Sequence, residues 1–239
     1  MTDPRYGFII INIMKIAVLS DIHQTVFWKK VADQKDNFDR IVFLGDEFDC
    51  WENKWPFQMD NAEAIIEFKE KNTEKVDLCW SNHAISYFLD EKCSGYQREY
   101  AFDIKEFYNN NKKYYNPVYV YDKWIFSHAG VSQKWMEHNF INELSDINQI
   151  FLHRPQIFKW IGPEGSGNNS IEGPLWIRPD ALLKNYVPNY NQIMGHTENI
   201  EPIITKKDKQ TFVFCDTNEH NMLSIIDTKT DMVEFIDLS

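Results

Sequence analysis

The chain has 239 residues, 43% of them hydrophobic and 26% charged, with a formal net charge of −11. This length and balance fit one globular domain with a substantial core. The acidic surface argues against non-specific nucleic-acid binding, and no apolar run approaches the ~18 residues of a membrane helix.

Residues 1–14 read as an N-terminal extension or an alternative start, ahead of a single domain over 15–239. The stretch MTDPRYGFIIINI lacks the basic leader and the small-residue cleavage site of a signal peptide, and Met14 opens MKIAVLSDIH as a natural start would. KIAVLS (15–20) reads as a buried strand, 26–36 as a helix and RIVFLG (40–45) as a second strand. Residues 59–73 fit an amphipathic helix with Ala62, Ile65, Ile66 and Phe68 on its apolar face. KVDLCW (75–80) is a third strand, and 101–113 a further helix. PVYVY and KWIFSH flank Asp122-Lys123 as a hairpin, and helices follow within 131–152. The glycine-rich loop 162–173 lacks the Gly-Lys-Ser/Thr ending of a phosphate-cradling loop. YNQIMGH is another strand, and the tail from Lys209 reads as three more. Early alternation of strands and helices, then a run of strands, predicts a layered α/β sandwich rather than a purely parallel sheet. The four cysteines, Cys50, Cys79, Cys93 and Cys215, form no CxxC pair, which argues against a zinc knuckle or a disulfide framework and suits a reducing, cytoplasmic setting.

The ends of the strands carry the distinctive residues. Asp21-Ile22-His23 comes after the first strand, Asp46 and Asp49 after the second, and Ser81-Asn82-His83 after the third. Ser127-His128-Ala129-Gly130 and Gly195-His196-Thr197 close two later ones. In open α/β sheets, ligands gather beyond the carboxyl ends of strands. If extended geometry continues, a period of two lets Asp21 and His23 point the same way. Mixed His, Asp and Asn donors suit Mn, Fe or Zn, and the lack of thiolate disfavours a structural zinc. There are more donors than one ion needs. Two ions about 3.5–4 Å apart would use them in hydrolysis of a phosphate ester.

DIH (21–23), GDEFD (45–49), SNHA (81–84), SHAG (127–130) and GHT (195–197), in this order, resemble the calcineurin-like metallophosphoesterase superfamily. SHAG and GHT are most similar to the branch of Ser/Thr protein phosphatases and diadenosine tetraphosphatases. The closing FCDTNEHNMLSIID looks like the family's last strand pair. The resemblance implies an α-β-β-α sandwich of two mixed sheets flanked by helices. It implies two divalent metal ions: Asp21 and His23 would hold the first, Asp46 would bridge both, and Asn82, His128 and His196 would complete the second. A metal-bound hydroxide would attack phosphorus, His83 would protonate the leaving oxygen as general acid, and Asp49 would orient His83. The implied substrate is a phosphorylated small molecule or phosphoprotein cleaved as a monoester. The alternatives are a nucleotide pyrophosphohydrolase or phosphodiesterase, and a catalytically weak metal-binding scaffold acting through protein contacts.

Three positions depart from the family pattern. Ser81 stands where the family has Gly, Ala84 where it has an acid, and Cys50 where protein phosphatases carry a phosphate-binding Arg. Ser81 would be strained if its φ were positive and neutral otherwise. Arg178 in GPLWIRPD, then Arg154, are the candidates for substrate binding, since guanidinium matches phosphate bidentately. Trp51, Trp55 and Phe57 are candidates for a pocket wall or for packing.

Overall fold

The computed structural model describes residues 14–23, 25–49, 55–161, 166–217 and 221–238. The N-terminal stretch 1–13, Cys50, Trp51 and residues 162–165 of the glycine-rich loop lie outside the described residues. Two mixed sheets form the centre. The larger has the spatial order β11 (Met232–Asp237), β10 (Met222–Asp227), β1 (Lys15–Leu19), β2 (Arg40–Phe43), β3 (Val76–Cys79) and β4 (Tyr115–Asn116). The smaller runs β5 (Val118–Tyr121), β6 (Trp124–Ser127), β7 (Asn191–Met194), β9 (Gln210–Phe214) and β8 (Ile203–Lys207). β1, β2 and β3 are parallel neighbours, as are β6, β7 and β9.

Alternation along the strands builds the layers. Ile16 and Val18 of β1 face one way and meet Val42, Trp124, Phe126, Ile193 and Val213, which is the core between the sheets. Ala17 and Leu19 face the other way, with Ile41, Phe43 and Leu78, against Trp28, Val31, Ile65 and Phe107. Those partners lie on α1 (Trp28–Asp33), α2 (Trp55–Lys71) and α4 (Ala101–Asn111). On the outer face of the smaller sheet, Leu182 of α7 (Pro179–Lys184) packs with Met194, Phe212 and Phe214. The result is the four-layer α-β-β-α sandwich. The remaining α-helices among the described residues are α3 (Asn82–Phe88), α5 (Gln133–His138) and α6 (Ile147–His153).

Several sequence expectations change. α2 begins at Trp55, and α3 stands where only a strand end was expected. Ser81 supplied the missed signal: its Oγ accepts from the Ala84 N–H at 3.2 Å as an N-cap. β8 was also missed, because four of its five residues are exposed and it shows no buried alternation. The closing FCDTNEHNMLSIID is not one strand pair. β9 belongs to the smaller sheet, whereas β10 crosses to the larger one and pairs antiparallel with β1.

Candidate metal and phosphate site

The three parallel strands of the larger sheet end at the same edge as β6 and β7 of the smaller. Their connections bring Asp21, His23, Asp46, Asp49, Asn82, His83, His128 and His196 together. Asp46 Oδ2 is the hub, at 3.5 Å from His128 Nε2, 3.6 Å from His23 Nε2 and 3.9 Å from His83 Nε2. Asn82 Oδ1 lies 2.7 Å from His128 Nε2. The His196 ring is centred 5.0 Å from that of His128. The His196 N–H donates to both Asp21 carboxylate oxygens at 3.2 Å.

The backbone achieves this by leaving the extended conformation. Asp21 has φ 46° and His23 φ 33°, so alternation along a strand does not align them; a turn does. Asp46, Asp49 and His196 are also left-handed, at φ 60°, 70° and 64°. Asp and His tolerate this region better than branched residues, and such backbone gathers where structure over-determines it. Close approach matters too: a Cβ at Gly195 would collide with the Ser20 hydroxyl and the Asp21 carboxylate.

Three of the four histidines are aimed by their far nitrogens. His23 Nδ1 lies 2.6 Å from the Phe48 carbonyl and His128 Nδ1 lies 2.9 Å from the Leu44 carbonyl, which turns both Nε2 atoms inward. His83 Nδ1 lies 2.6 Å from Asp49 Oδ2. Asp49 is itself fixed: Tyr87 OH and Gln97 Nε2 donate to its Oδ1, and its N–H donates to Gln58 Oε1 at 3.1 Å. Tyr87 follows His83 by four residues and shares its helical face, a pairing hidden until α3 is recognised. Cys93, from the loop after α3, puts its sulfur 3.6 Å from Asp49 Oδ2 and 3.6 Å from His83 Nδ1.

The electrostatics ask for cations. Burial pushes the Asp21 carboxyl up, opposed by His128 and reinforced by Asp46. Burial acts on Asp46 likewise, but the surrounding His83, His128 and His23 more than offset it and hold the carboxyl ionised. Burial, then His128 and Arg178, push His196 well down, so its imidazole is neutral, the form able to coordinate a metal. Burial opposes protonation of His83, but the Asp46 charge and the Asp49 hydrogen bond overcome it and raise that imidazole well above its usual range. Asp46 Oδ1 and His196 Nε2 are buried with no hydrogen-bond partner. Such orphaned polar atoms are rare in proteins. Carboxylate and imidazole donors facing one centre fit divalent cations, and Asp21, His23 and Asp46 offer three donor atoms within 4.8 Å of one another.

A sequence model of the calcineurin-like phosphoesterase family matches residues 14–204. The chain belongs to the calcineurin-like phosphoesterases. It is a metal-dependent phosphoric ester hydrolase, in a family that works with dinuclear divalent metal centres. Among solved structures, it is similar to a cold-active protein-tyrosine phosphatase from a psychrophilic Shewanella species, at 15% identity and TM-score 0.57, covering 94% of this chain and 81% of that one. A protein serine/threonine phosphatase from Saccharomyces cerevisiae matches at 13% identity and TM-score 0.57, over 93% and 79% of the two chains. A metallophosphoesterase from Sphaerobacter thermophilus matches at 12% identity and TM-score 0.52, over 95% and 89%. At these identities the likeness is one of fold. No curated protein sequence matches.

In this phosphoesterase, Ser81 is at φ −123°, so replacing the family's glycine brings no strain. Ala84 is 0% exposed within the helix-side core, a position where an acid would have no water. Arg178 is at the site, its Nη1 donating to the His196 carbonyl at 3.0 Å and to Thr197 Oγ1 at 3.1 Å. The glycine-rich loop helps hold it there. Gly167, at φ 83°, accepts the Arg178 N–H at 2.8 Å, and a Cβ on it would press on the Arg178 side chain. Arg154 is exposed at the end of α6, and its Nη1 donates to the Asn139 carbonyl at 3.4 Å; no described contact ties it to the cluster. Trp55 stacks on Tyr100 at 4.5 Å and on Phe48 at 6.1 Å, so it packs behind the Asp46–Asp49 turn. Phe57 is 40% exposed. Among the described residues, no helix is long and apolar enough to cross a membrane.

Proposed function

We propose that this phosphoesterase hydrolyses phosphate monoesters, on a small molecule or a phosphoprotein. Asp21, His23, Asp46, Asn82, His128 and His196 would hold two divalent cations, drawn from Mn, Fe or Zn. Bound there, the cations would activate water and neutralise charge on the phosphoryl oxygens. His83 is the proton donor to the leaving oxygen. Its Nε2 faces the Asp46 hub at 3.9 Å, while Nδ1 is held by Asp49 at 2.6 Å. This His83–Asp49 pair carries the reading, because a scaffold that only bound metal would have no use for an imidazolium oriented in this way. Arg178 favours a monoester over a diester: a dianion gains more from a guanidinium at the rim than a monoanion does. The three described free cysteines, Cys79, Cys93 and Cys215, suit a reducing, cytoplasmic setting.

The test is turnover with Mn²⁺ of p-nitrophenyl phosphate against its bis-ester. Hydrolysis of the monoester alone supports the proposal. Preference for the bis-ester replaces it with a phosphodiesterase or pyrophosphohydrolase. Metal uptake without turnover of either would leave a binding scaffold.

A further inference from the structure

His83 faces two ways. Its Nε2 looks at the Asp46 hub, and its Nδ1 looks at a second group of donors made by Asp49 and Cys93. Asp49, His83 and Cys93 offer three donor atoms that all lie within 4.8 Å of one another. We propose that these three residues form a separate zinc site, and that zinc held there switches the enzyme off by taking the Nδ1 face of His83.

The geometry is specific. Tetrahedral zinc takes nitrogen or oxygen at about 2.0–2.1 Å and thiolate at about 2.3 Å, which sets sulfur about 3.6 Å from each of the other donors. Cys93 Sγ is 3.6 Å from Asp49 Oδ2 and 3.6 Å from His83 Nδ1. The third edge, Nδ1 to Oδ2, is a 2.6 Å hydrogen bond and must open to about 3.3 Å when an ion replaces the proton. The donor chemistry agrees: one thiolate, one imidazole and one carboxylate balance the charge of Zn²⁺, and the thiolate selects zinc over manganese. The opposite oxygen of Asp49 is anchored by Tyr87 and Gln97, so the carboxylate is already oriented toward the sulfur. His83 and Cys93 are only half-buried, which leaves a route for the ion and a water as fourth ligand.

Binding exchanges Zn²⁺ for the thiol proton of Cys93 and the Nδ1 proton of His83, both released to solvent. The imidazole then carries metal where it carried a proton against Asp49. Its remaining N–H is too weak an acid to serve a leaving alkoxide, and the ring is pulled from its place beside Asp46. The inhibitory consequence rests on the role proposed for His83; the binding of zinc does not.

Cobalt separates the two. The Asp46-centred donors include no sulfur, so a thiolate-to-cobalt charge-transfer band reports this site alone. Co²⁺ added to Mn²⁺-loaded protein should give that band, and one equivalent of Zn²⁺ should abolish it while lowering kcat about 10²-fold, the scale of a lost general acid. Cys93→Ser should lose the band and, relative to its own zinc-free rate, resist the same zinc, whereas Cys50→Ser should keep the band. A band that survives Cys93→Ser, or is lost only in Cys50→Ser, or never forms, overturns the site. A band lost in Cys93→Ser with zinc leaving kcat untouched in the unsubstituted protein establishes the site and removes His83 as the proton donor.

Discussion

Two buried polar clusters lie at opposite ends of the same strands, each built around an aspartate. At the N-terminal edge of β2 and β3, Asp77 is 5% exposed, accepts from Tyr121 OH and lies 3.7 Å from Arg40 Nη1. Nearby Lys69 gives its ammonium to the carbonyls of Thr73 and Val76. Burial pushes Asp77 up, and Tyr121, Arg40 and Lys69 pull it back. That cluster closes on itself. At the C-terminal edge, Asp46 Oδ1 and His196 Nε2 are left without partners, and the histidines are turned so that their free nitrogens converge. Burial alone therefore does not mark a functional carboxylate. Unfilled acceptors aimed at a shared point do.

Substitutions can break this distinction. The largest effect is expected from Asp46→Asn, which should take turnover of p-nitrophenyl phosphate to background and lower bound metal per chain, measured by elemental analysis. His83→Ala should cut kcat about 10²–10⁴-fold with metal content unchanged. A parallel loss of metal would make it a ligand instead of an acid. Glu172 separates orphaning from chelation, since its Oε2 is buried without a partner but no histidine ring is among its described contacts. Burial pushes its carboxyl from 4.5 to about 7. The folded chain thus binds this proton more tightly than the unfolded chain. The contribution to stability is full below about pH 4.5 and is lost as pH rises through about 7. Glu172→Gln should be close to the unsubstituted protein at pH 5 and more stable by up to about 3 kcal/mol at pH 8. A difference in urea midpoint that does not change with pH would refute this.

The closed cluster should respond in stability only. Asp77→Ala should cost about 1–3 kcal/mol by leaving its partners unsatisfied, with kcat per folded molecule unchanged. A fall in kcat there would dissolve the contrast between the two ends. The smallest effect belongs to Ser81→Gly. Removing this cap in favour of glycine should cost only a few tenths of a kcal/mol, because neither residue is strained at φ −123°.

The sequence carried the strands and the donors, because both are local. Short, β-rich apolar runs identify β1, β2, β3, β6 and β7, and each is followed closely by its polar residues. Their order identified the family before any geometry was available. Local pattern also misled where the backbone turns: Asp21 and His23 look like alternating strand residues, yet both are left-handed. The surroundings of His83 were not legible, since Gln58, Tyr87, Cys93 and Gln97 reach Asp49 across 9 to 48 positions of chain. Ala84, which departs from the family's acid, is a core residue because helix α3 turns it inward.

By itself, then, the sequence determined the buried strands β1, β2, β3, β6 and β7 and the side chains that follow them, through apolar runs and turn chemistry acting over a few residues. Only the tertiary structure decided that five strand ends from two different sheets meet. That depends on the apolar faces of β1, β2 and β3 packing against those of β6, β7 and β9, with the polar ends left at one edge. Such packing is set by contacts far apart in the chain, and no local pattern encodes which nitrogen of a histidine it leaves free.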